Sequence, residues 1–325
     1  MTSFTAISEL QTNFNLMGKA MRKLIDQSEI KQDSSSCWIQ ISTQVQRMKC
    51  MLFLCFVVAI GIASPSWAIE TEYAVFGDGD GVIYTIPADG NLRWFHHRGR
   101  MDGTVSWANG GILKNVGTGW SEPIKVFSGG DGVVYTITSD GILRWYRHNG
   151  RFTGTFDWAN NLGIQVGSGW GVFQHVFSGG DGVIYGIKPD GSLHWYRHEG
   201  RLDGSFKWAS NSGAQVGTGW TIFQHVFGSG DGVIYAVGLD GNLHWYRHDG
   251  RFDGSFKWAS NSGAQVGTGW ISPNLKQVFS GGDGIIYVVR DSGELAWYRH
   301  KGWLTGANSW VSNFGKPIGS GWFVP

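Results

Sequence analysis

The sequence predicts an all-β fold for residues 69–325, a five-bladed β-propeller with four antiparallel strands in each blade. Two observations predict it. The chain of 325 residues contains 51 glycines and 18 tryptophans, and glycine supports tight turns while aromatic side chains favour pleated, half-buried surfaces. A unit of about 50 residues also recurs five times, which is the length typical of a four-stranded propeller blade.

The repeat is marked by Gly-Asp-Gly elements and by three series of tryptophans. The central aspartates lie 51, 50, 50 and 52 residues apart, and the tryptophans keep the same phase, so 15 of the 18 are repeat positions. Residues 205–220 recur unchanged as residues 255–270, which indicates duplication. The aspartates are Asp80, Asp131, Asp181, Asp231 and Asp283. The tryptophans are Trp94, Trp145, Trp195, Trp245 and Trp297, then Trp107, Trp158, Trp208, Trp258 and Trp310, then Trp120, Trp170, Trp220, Trp270 and Trp322. The repeats span about residues 73–122, 123–172, 173–222, 223–272 and 273–325.

Residues 173–222 show the strand pattern of one unit. After a first strand and a Gly-Asp-Gly turn, a second strand covers residues 183–187, and Asp190-Gly191 is a strong hairpin signal. A third strand covers residues 193–198, and a fourth is expected near residues 215–217. The first and last units keep the full pattern, which favours a closed ring over an open solenoid with capping units. We therefore expect each blade to be one continuous segment, with side-chain packing closing the ring.

The segment before the repeats predicts export. Residues 48–68 combine early positive charge, an apolar run from Met51 to Ala63 and small residues before a cleavage point after Ala68, which is typical of a secretory signal peptide. The run has 13 residues, shorter than the roughly 20 that span a bilayer comfortably. Residues 1–47 are polar, so we expect Met48 to be the true start. The alternative to a signal peptide is a buried hydrophobic helix. The alternative to a start at Met48 is a cytoplasmic extension followed by an uncleaved anchor. The expected product is secreted, with no membrane insertion after signal cleavage.

Charge and cysteine content exclude several classes of function. The 26 Lys and Arg nearly balance the 25 Asp and Glu, so no overall field would attract nucleic acid. Cys37, Cys50 and Cys55 all precede the repeats, which excludes a disulfide, a thiolate nucleophile and a cysteine metal site from the propeller. The repeated histidines and aspartates do not form compact ligand sets for zinc or calcium. We expect no nucleic-acid partner, no metal and no cofactor.

The repeats resemble the tachylectin type of five-bladed propeller lectin. The resemblance lies in five tandem blades, an aromatic-ended strand after each Asp-Gly turn and a Gly-x-Gly-Trp element closing each blade, and it covers about residues 70–325. The units of this sequence are slightly longer than expected for that family. Their Trp-Tyr-Arg-His strands, such as residues 195–198, are also distinctive. The resemblance implies binding of N-acetylated amino sugars, with one site per blade located between neighbouring blades.

The outer loops and the ends of the blades supply candidate sugar-binding residues. Sugar sites combine an aromatic wall with a few polar groups, and each outer loop contains a tryptophan followed closely by an asparagine. Three loops add an aspartate, whereas two have Thr153 and Thr305 instead. Structural alternatives remain open, namely asparagine bonding to the local backbone and tryptophan packing between blades. The outer-loop candidates are Trp107 with Asn109, Trp158 with Asn161, Trp208 with Asn211, Trp258 with Asn261, Trp310 with Asn313, and Asp102, Asp203 and Asp253. The blade-closing candidates are Trp120, Trp170, Trp220, Trp270 and Trp322, which are expected to face the next blade.

The Trp-Tyr-Arg-His strands are interpreted as mainly structural. Because side chains alternate along a strand, Trp195 and Arg197 share one face while Tyr196 and His198 share the other. An arginine over a tryptophan or tyrosine suggests cation–π stacking. A ligand role for the arginine or the histidine is the alternative.

The competing functional classes are an enzyme and a protein-binding scaffold. A glycoside hydrolase needs two carboxylates in different environments, but the glutamates after Ala68 belong to no repeated series. The sequence also lacks a serine-elbow, a phosphate-loop and a dinucleotide motif. A scaffold would use one varied face, whereas these nearly copied loops suit a repeated ligand such as a glycan coat. We therefore predict a non-enzymatic lectin whose partners are glycans bound at several equivalent sites.

Overall fold

The computed structural model describes residues 74–271 and 275–322. These residues form five sheets of four antiparallel strands, and the strands of each sheet follow one another along the chain. The predicted fold, an all-β five-bladed propeller, is confirmed, and each blade is one continuous segment. The expected signal peptide, residues 48–68, and the polar stretch 1–47 lie outside the described residues.

The strand bounds repeat from blade to blade. Blade 1 contains β1 (Ala74–Gly77), β2 (Val82–Ile86), β3 (Leu92–His96) and β4 (Lys114–Gly117). Blade 2 contains β5 (Lys125–Gly130), β6 (Val133–Ile137), β7 (Leu143–Arg147) and β8 (Ile164–Gly167). Blade 3 contains β9 (His175–Gly180), β10 (Val183–Ile187), β11 (Leu193–Arg197) and β12 (Ala214–Gly217). Blade 4 contains β13 (Phe223–Gly228), β14 (Val233–Gly238), β15 (Leu243–Arg247) and β16 (Ala264–Gly267). Blade 5 contains β17 (Gln277–Gly282), β18 (Ile285–Val289), β19 (Leu295–Arg299) and β20 (Lys316–Gly319). Short 3-10 turns cover Ala108–Gly111, Trp170–Val172 and Trp220–Ile222.

The burial of the strands follows from their place between neighbouring sheets. The second strand of every blade is buried at all its positions, which explains why it is a continuous apolar run and not an alternating one. In the third strand β11, Leu193 and Trp195 are buried while His194 and Tyr196 are half-buried. The turn between the first two strands places Asp181 at φ 53° between two glycines, a left-handed conformation that aspartate tolerates.

Each boundary between blades contains the same buried hydrogen bond, between a tyrosine of one blade and a histidine of the next. At the boundary of blades 2 and 3, Tyr135 Oη lies 2.7 Å from His198 Nδ1, and His198 Nε2 lies 2.9 Å from the carbonyl oxygen of Ser205. Because a carbonyl oxygen only accepts, Nε2 carries the proton and Nδ1 accepts from the tyrosine. The histidine ring also packs on Trp208, with ring centroids 4.7 Å apart. The five pairs are Tyr84–His148, Tyr135–His198, Tyr185–His248, Tyr235–His300 and Tyr287–His97.

The opposite face of the third strand bonds to the outer loop of the next blade. Trp195 donates its indole N–H to the carbonyl oxygen of Arg251 at 2.9 Å, and Arg197 donates to that of Phe252 at 3.2 Å. The predicted division of the strand into two faces is therefore confirmed. The Arg197 guanidinium lies 5.2 Å from the Phe252 ring, so it stacks on a phenylalanine and not on the tryptophan or tyrosine suggested by the sequence. Gly254 is required beside this contact, because a Cβ there would lie 2.4 Å from the Trp195 ring.

The ring closes between blades 5 and 1 with the same set of contacts. Tyr287 Oη lies 2.9 Å from His97 Nδ1, and Trp297 donates to the carbonyl oxygen of Arg100 at 2.8 Å. The blade pairs therefore share one interface chemistry, whether or not the chain connects them directly. Closure by side-chain packing, without a blade shared between the two ends, is what the repeat pattern predicted.

Ion pairs link the Gly-Asp-Gly turns on one face of the ring. Arg100 bridges its own blade's Asp80 at 3.1 Å and Asp283 of blade 5 at 2.7 Å. The same position is arginine in four blades, whereas blade 5 has Trp303 instead. The arginines are Arg100, Arg151, Arg201 and Arg251.

Blade 1 adds a buried carboxylate to this ring. Asp78, where the other blades have glycine or serine, is 3 % exposed and lies 3.1 Å from the Arg151 guanidinium. It also accepts hydrogen bonds from the Ser128 hydroxyl and the Gly132 amide. Burial raises the pKa of Asp78 to about 6 against the lowering effect of these partners, so the desolvation of this carboxylate outweighs its pairing.

Tyr135→Phe tests the inter-blade bond. The substitution removes the donor and leaves His198 Nδ1 buried without a partner, so we expect the free energy of unfolding to fall by about 1–3 kcal/mol. The matched control is Tyr146→Phe, since Phe95 occupies the equivalent position in blade 1, and it should change stability little. Urea unfolding measures the free energy of unfolding of both variants. Equal losses in the two variants would contradict the importance of the bond.

The histidines also predict how stability depends on pH. Burial lowers the pKa of all five below the ordinary value of 6.5, so the folded state binds fewer protons than the unfolded chain just below that pH. The stability that they contribute is complete above pH 6.5 and is lost as the pH falls from 6.5 toward the lowered values. Asp78, with its raised pKa, acts in the opposite sense as the pH falls through 6 toward 3.8. We expect Tm to drop between about pH 7 and about pH 5, and a constant Tm over that range would contradict this account.

Candidate functional site

Two cavities lie between neighbouring blades at equivalent places in the repeat. One, of about 450 Å³, lies between blades 4 and 5, and the other, of about 320 Å³, lies between blades 5 and 1. Each is lined by the Gly-x-Gly-Trp element at the end of one blade and by the third strand and outer loop of the next. The chain can turn at this element because its second glycine has a positive φ, +77° at Gly269 and +81° at Gly321. The blade-closing tryptophan thereby packs against the following blade.

Three aromatic rings form the wall of the cavity between blades 5 and 1. Trp322 lies 4.7 Å from Phe95 and 5.9 Å from Trp107, measured between ring centroids. Thr85 and Arg93, paired across β2 and β3, supply polar groups to the same cavity. Aromatic surface is therefore placed beside hydrogen-bonding groups, as small-molecule sites require.

The cavity between blades 4 and 5 has the same aromatic wall with different polar groups. Trp270 lies 4.8 Å from Tyr298 and 6.0 Å from Trp310. Arg290 and Asn308 line this cavity as well, and the Arg290 guanidinium lies 3.3 Å from the Glu294 carboxylate. The two cavities thus have equivalent aromatic walls but different polar groups.

The aromatic trio recurs at the other three boundaries. At each, a blade-closing tryptophan packs on the third-strand tyrosine and the outer-loop tryptophan of the next blade. The trios are Trp120, Tyr146 and Trp158, then Trp170, Tyr196 and Trp208, then Trp220, Tyr246 and Trp258. All five blade-closing tryptophans are buried, at 4–8 % exposure, and they face the next blade as expected.

The outer-loop tryptophans hold the blades together as well as lining the cavities. Trp107 donates its indole N–H to the carbonyl oxygen of Ile318 in blade 5 at 3.0 Å, and it packs on His97 with centroids 4.7 Å apart. Trp310 makes the corresponding bond to Val266 at 2.7 Å. Trp107 and Trp310 each line one of the two cavities. Trp158, Trp208 and Trp258 make the same bond to the fourth strand of the preceding blade.

Four of the five candidate asparagines bond across a blade boundary. Asn161 donates its amide to the carbonyl oxygen of Asp203 in the next blade at 2.8 Å. Asn211, Asn261 and Asn313 make the same contact with Asp253, Thr305 and Asp102. Asn109 instead bonds to Ile112 of its own loop at 3.2 Å. The asparagines are exposed and lie outside the lining of the two cavities, so their predicted role in sugar binding stays a prediction.

The candidate aspartates shape the outer loops. Asp203 accepts the Ser205 amide at 2.9 Å, and Asp253 and Asp102 make equivalent contacts with Ser255 and Thr104. The hydrogen bonds that Asp102 accepts from the backbone amide and the hydroxyl of Thr104 lower the pKa of Asp102. The carboxylates are exposed and remain ionised at neutral pH, and they too lie outside the lining of the two cavities.

Several residues that line the two cavities were not among the candidates predicted from the sequence. Phe95 and Tyr298 are the third-strand aromatics, and Thr85, Arg93 and Arg290 come from second and third strands or the turn after them. The alternation along the Trp-Tyr-Arg-His strand contained the signal, because it places the tyrosine on the face toward the preceding blade. Thr85 and Arg93 could not be found from the repeat, since these positions change from blade to blade.

The described residues contain neither a metal-binding cluster nor a helix that could span a membrane. Within residues 74–271 and 275–322, no group of three His, Cys, Asp or Glu side chains is arranged to hold a metal ion. In the same part of the chain, no helix has the length and hydropathy needed to cross a bilayer.

Comparison with known proteins gives the chain its family. The sequence profile of the Tachylectin family matches residues 62–164 and 113–324. No curated protein matches the chain. Among solved structures, the chain is similar to a symmetrical protein from work on de novo evolutionary emergence under folding constraints, with 20% identity, 77% of this chain and 94% of that chain covered, and a TM-score of 0.43. It is also similar to a point mutant of the Aleuria aurantia lectin in complex with Fucα1-6GlcNAc, with 18% identity, 77% and 79% covered, and a TM-score of 0.40. Because the family profile spans all five blades, the chain belongs to the tachylectin family of carbohydrate-binding β-propellers.

Proposed function

We propose that this protein is a multivalent, non-catalytic lectin that binds N-acetylated amino sugars, N-acetylglucosamine or N-acetylgalactosamine, on glycans. The observation that carries the proposal is the recurrence, in a member of this family, of an aromatic-walled boundary between every pair of blades. Two of these boundaries enclose cavities of about 450 and 320 Å³, large enough for a sugar residue.

The chemistry of the cavity walls suits an acetamido sugar. The exposed parts of Trp107, Phe95 and Trp322 offer apolar surface to the pyranose ring and to the acetamido methyl group. The Arg93 side chain, which is 29 % exposed, offers guanidinium N–H groups to oxygen atoms of the same ligand. A ligand with both kinds of surface side by side matches this wall.

Repetition would convert weak single sites into firm attachment. Each site takes a single sugar residue, so a low affinity per site is expected. A glycan coat presents many copies of the ligand, and engagement of several sites on a rigid ring raises the overall affinity by about 10²-fold or more where the spacing permits.

The lining of the cavities supports a non-catalytic role. Glycoside hydrolysis needs two carboxyl groups about 5–10 Å apart beside the scissile bond. Among the described residues, no Asp or Glu lines either cavity. The lining arginines are each paired with one acidic group behind them, Arg290 with Glu294 in the larger cavity and Arg93 with Asp89 in the smaller one.

A glycan array with a cavity-blocking variant tests the function. The full chain should bind glycans ending in N-acetylated amino sugars, and free N-acetylglucosamine or N-acetylgalactosamine should compete. Thr268→Trp combined with Ser320→Trp places an indole in the exposed lip of each cavity without removing a core contact, and we expect binding to fall by about tenfold or more. The asparagines are left intact because their substitution would also break bonds between blades.

The matched control exchanges the two lip residues. Thr268→Ser with Ser320→Thr gives each cavity the residue that the other already has, so this variant should bind as the unmodified chain does. Competition only by another sugar would refute the amino-sugar preference and leave the lectin function standing. A folded protein that binds no glycan would favour a protein-binding scaffold, for which Phe156, Phe206 and Phe256, each about 71–72 % exposed, are the obvious contacts.

We also propose that residues 48–68 direct secretion, on the composition of that segment alone. Expression of a gene that starts at Met48 should deliver protein to the medium or periplasm, with an N-terminus at Ile69. Mass spectrometry of the exported protein measures that terminus, and retention of uncleaved chain in cells would contradict the proposal. A gene that lacks codons 48–68 is the control and should give no export.

A further inference from the structure

The first strands of the five blades, β1, β5, β9, β13 and β17, surround the axis of the ring. Each of these inner strands contacts the inner strands of both neighbouring blades, and all five run in the same direction because the blades are equivalent. Their carboxyl ends lead into the Gly-Asp-Gly turns, whose aspartates pair with arginines. Their amino ends therefore meet at the opposite end of the ring, where a different set of side chains lies around the axis.

One level near these amino ends carries basic side chains from three successive blades. Lys125, His175 and His225 occupy equivalent positions, each opposite a buried aliphatic residue of the second strand. Gln277 and Ala74 occupy this position in blades 5 and 1. Three of the five residues around the axis at this level thus carry positive charge or can take it up.

Side chains at this level point from one inner strand toward the next. Because side chains alternate along a strand, Lys125 lies on the same face of β5 as Phe127, and Phe127 packs in the core shared with blade 3. In blade 5, Gln277 Nε2 donates to the carbonyl oxygen of Val75 in blade 1 at 2.6 Å. Lys125 therefore faces β9, and His175 in turn faces β13.

The three basic side chains are close enough to affect one another's charge. Burial lowers the pKa of His175, and the neighbouring charge of Lys125 lowers it further. Burial likewise lowers the pKa of His225, and His175 adds to this effect. Groups of like charge that face one another destabilise each other's charged form, so an anion bound among them would offset that repulsion.

These groups are available to a ligand. All three residues are half-buried, and none has an ion pair or a side-chain hydrogen bond within residues 74–271 and 275–322. The ring nitrogens of the two histidines are not fully buried. Glu122, three residues before Lys125, is exposed and is not paired with it. In the same part of the chain no group of three His, Cys, Asp or Glu side chains could hold a metal ion, so the cluster suits an anion better than a cation.

We propose that Lys125, His175 and His225 form an anion site beside the axis of the ring, for a phosphate or sulfate group, either free or as an ester. A tetrahedral oxyanion has acceptor oxygens on all sides, so it can bind donors that converge from three strands. The lysine ammonium and the imidazole N–H groups supply those donors, and hydrogen bonds to a charged acceptor are stronger than neutral ones. The site lies on different strands from the boundary cavities and does not depend on the lectin function.

Histidine side-chain resonances of the full chain, labelled with ¹⁵N-histidine, measure this site separately from the boundaries. Titration with inorganic phosphate at neutral pH and constant ionic strength should shift His175 and His225 until they saturate, and it should leave the inter-blade His198 unchanged. The variants His175→Gln and His225→Gln assign the two resonances. Absence of a shift at these residues, or an equal shift at His198, would overturn the site.

Glycerol 3-phosphate in a parallel titration separates the two sources of the anion. A shift of His175 and His225 at a similar concentration would assign a phosphate ester as a ligand. A shift with inorganic phosphate alone would assign a free ion. Either result supports the anion site.

Lys125→Gln is the decisive variant because Gln277 already occupies the equivalent position in blade 5. It removes the ammonium group but keeps a side chain that can bond to the next inner strand, so the fold should be retained and the Kd for phosphate should rise about tenfold or more. Lys188→Thr also removes one lysine, and Thr138 stands at its place in blade 2. This matched control should leave the Kd unchanged, and equal Kd values in the two variants would overturn the role of Lys125.

A bound anion that joins three inner strands should also raise Tm, because a ligand of the folded state stabilises that state. Phosphate stabilises proteins without a binding site as well, but this general effect is the same in both variants. The rise in Tm from chloride to phosphate at equal ionic strength should therefore be smaller for Lys125→Gln than for Lys188→Thr. An equal rise in the two variants would overturn the proposal.

Discussion

The hydrogen bond from a tyrosine hydroxyl to a histidine ring between blades is the constraint on which the rest of the structure depends. It fixes the histidine tautomer, because the other ring nitrogen donates to a backbone carbonyl in its own outer loop. The histidine ring then supports the outer-loop tryptophan, whose indole N–H reaches back to the preceding blade. One buried side chain thereby ties together a strand, a loop and a neighbouring blade, and it does so five times around the ring.

The structure separates what must repeat from what can vary. The Tyr–His–Trp contacts leave little room for substitution, because each ring fills space between two sheets and each polar atom has a fixed partner. Second-strand positions that face the boundaries are not constrained by such contacts. Thr85, Gly186 and Val288 stand at one place in the repeat with three different chemistries, and the changes are absorbed by Phe173 or Leu275 beside them. A duplicated chain can therefore diverge in its cavities while its ring stays intact.

The fold could be predicted from the sequence because it consists of one structural unit repeated at a nearly constant spacing. Tryptophans and Asp-Gly turns at constant spacing fix the number of blades, the strand order and the two faces of the third strand. The lining of the two cavities could be predicted only in part. Trp107, Trp310, Trp270 and Trp322 line them and were among the candidate residues because they repeat. Thr85, Arg93 and Arg290 also line them but were not among the candidates, because these positions change from blade to blade. The direction in which Asn161 bonds, across the boundary and not within its loop, is likewise a property of the assembled ring.

The continuity of each blade has a consequence for how the chain reaches its native pairing. Residues 205–220 and 255–270 are identical, so a strand from one blade would fit the other equally well, and nearly identical tandem units are prone to exchange strands. Here each strand pairs only with the strand before or after it in sequence. The nearest partner along the chain closes the smallest loop, and the cost of closure grows with loop length. Correct pairing is therefore favoured by chain entropy even where the side chains cannot tell two blades apart.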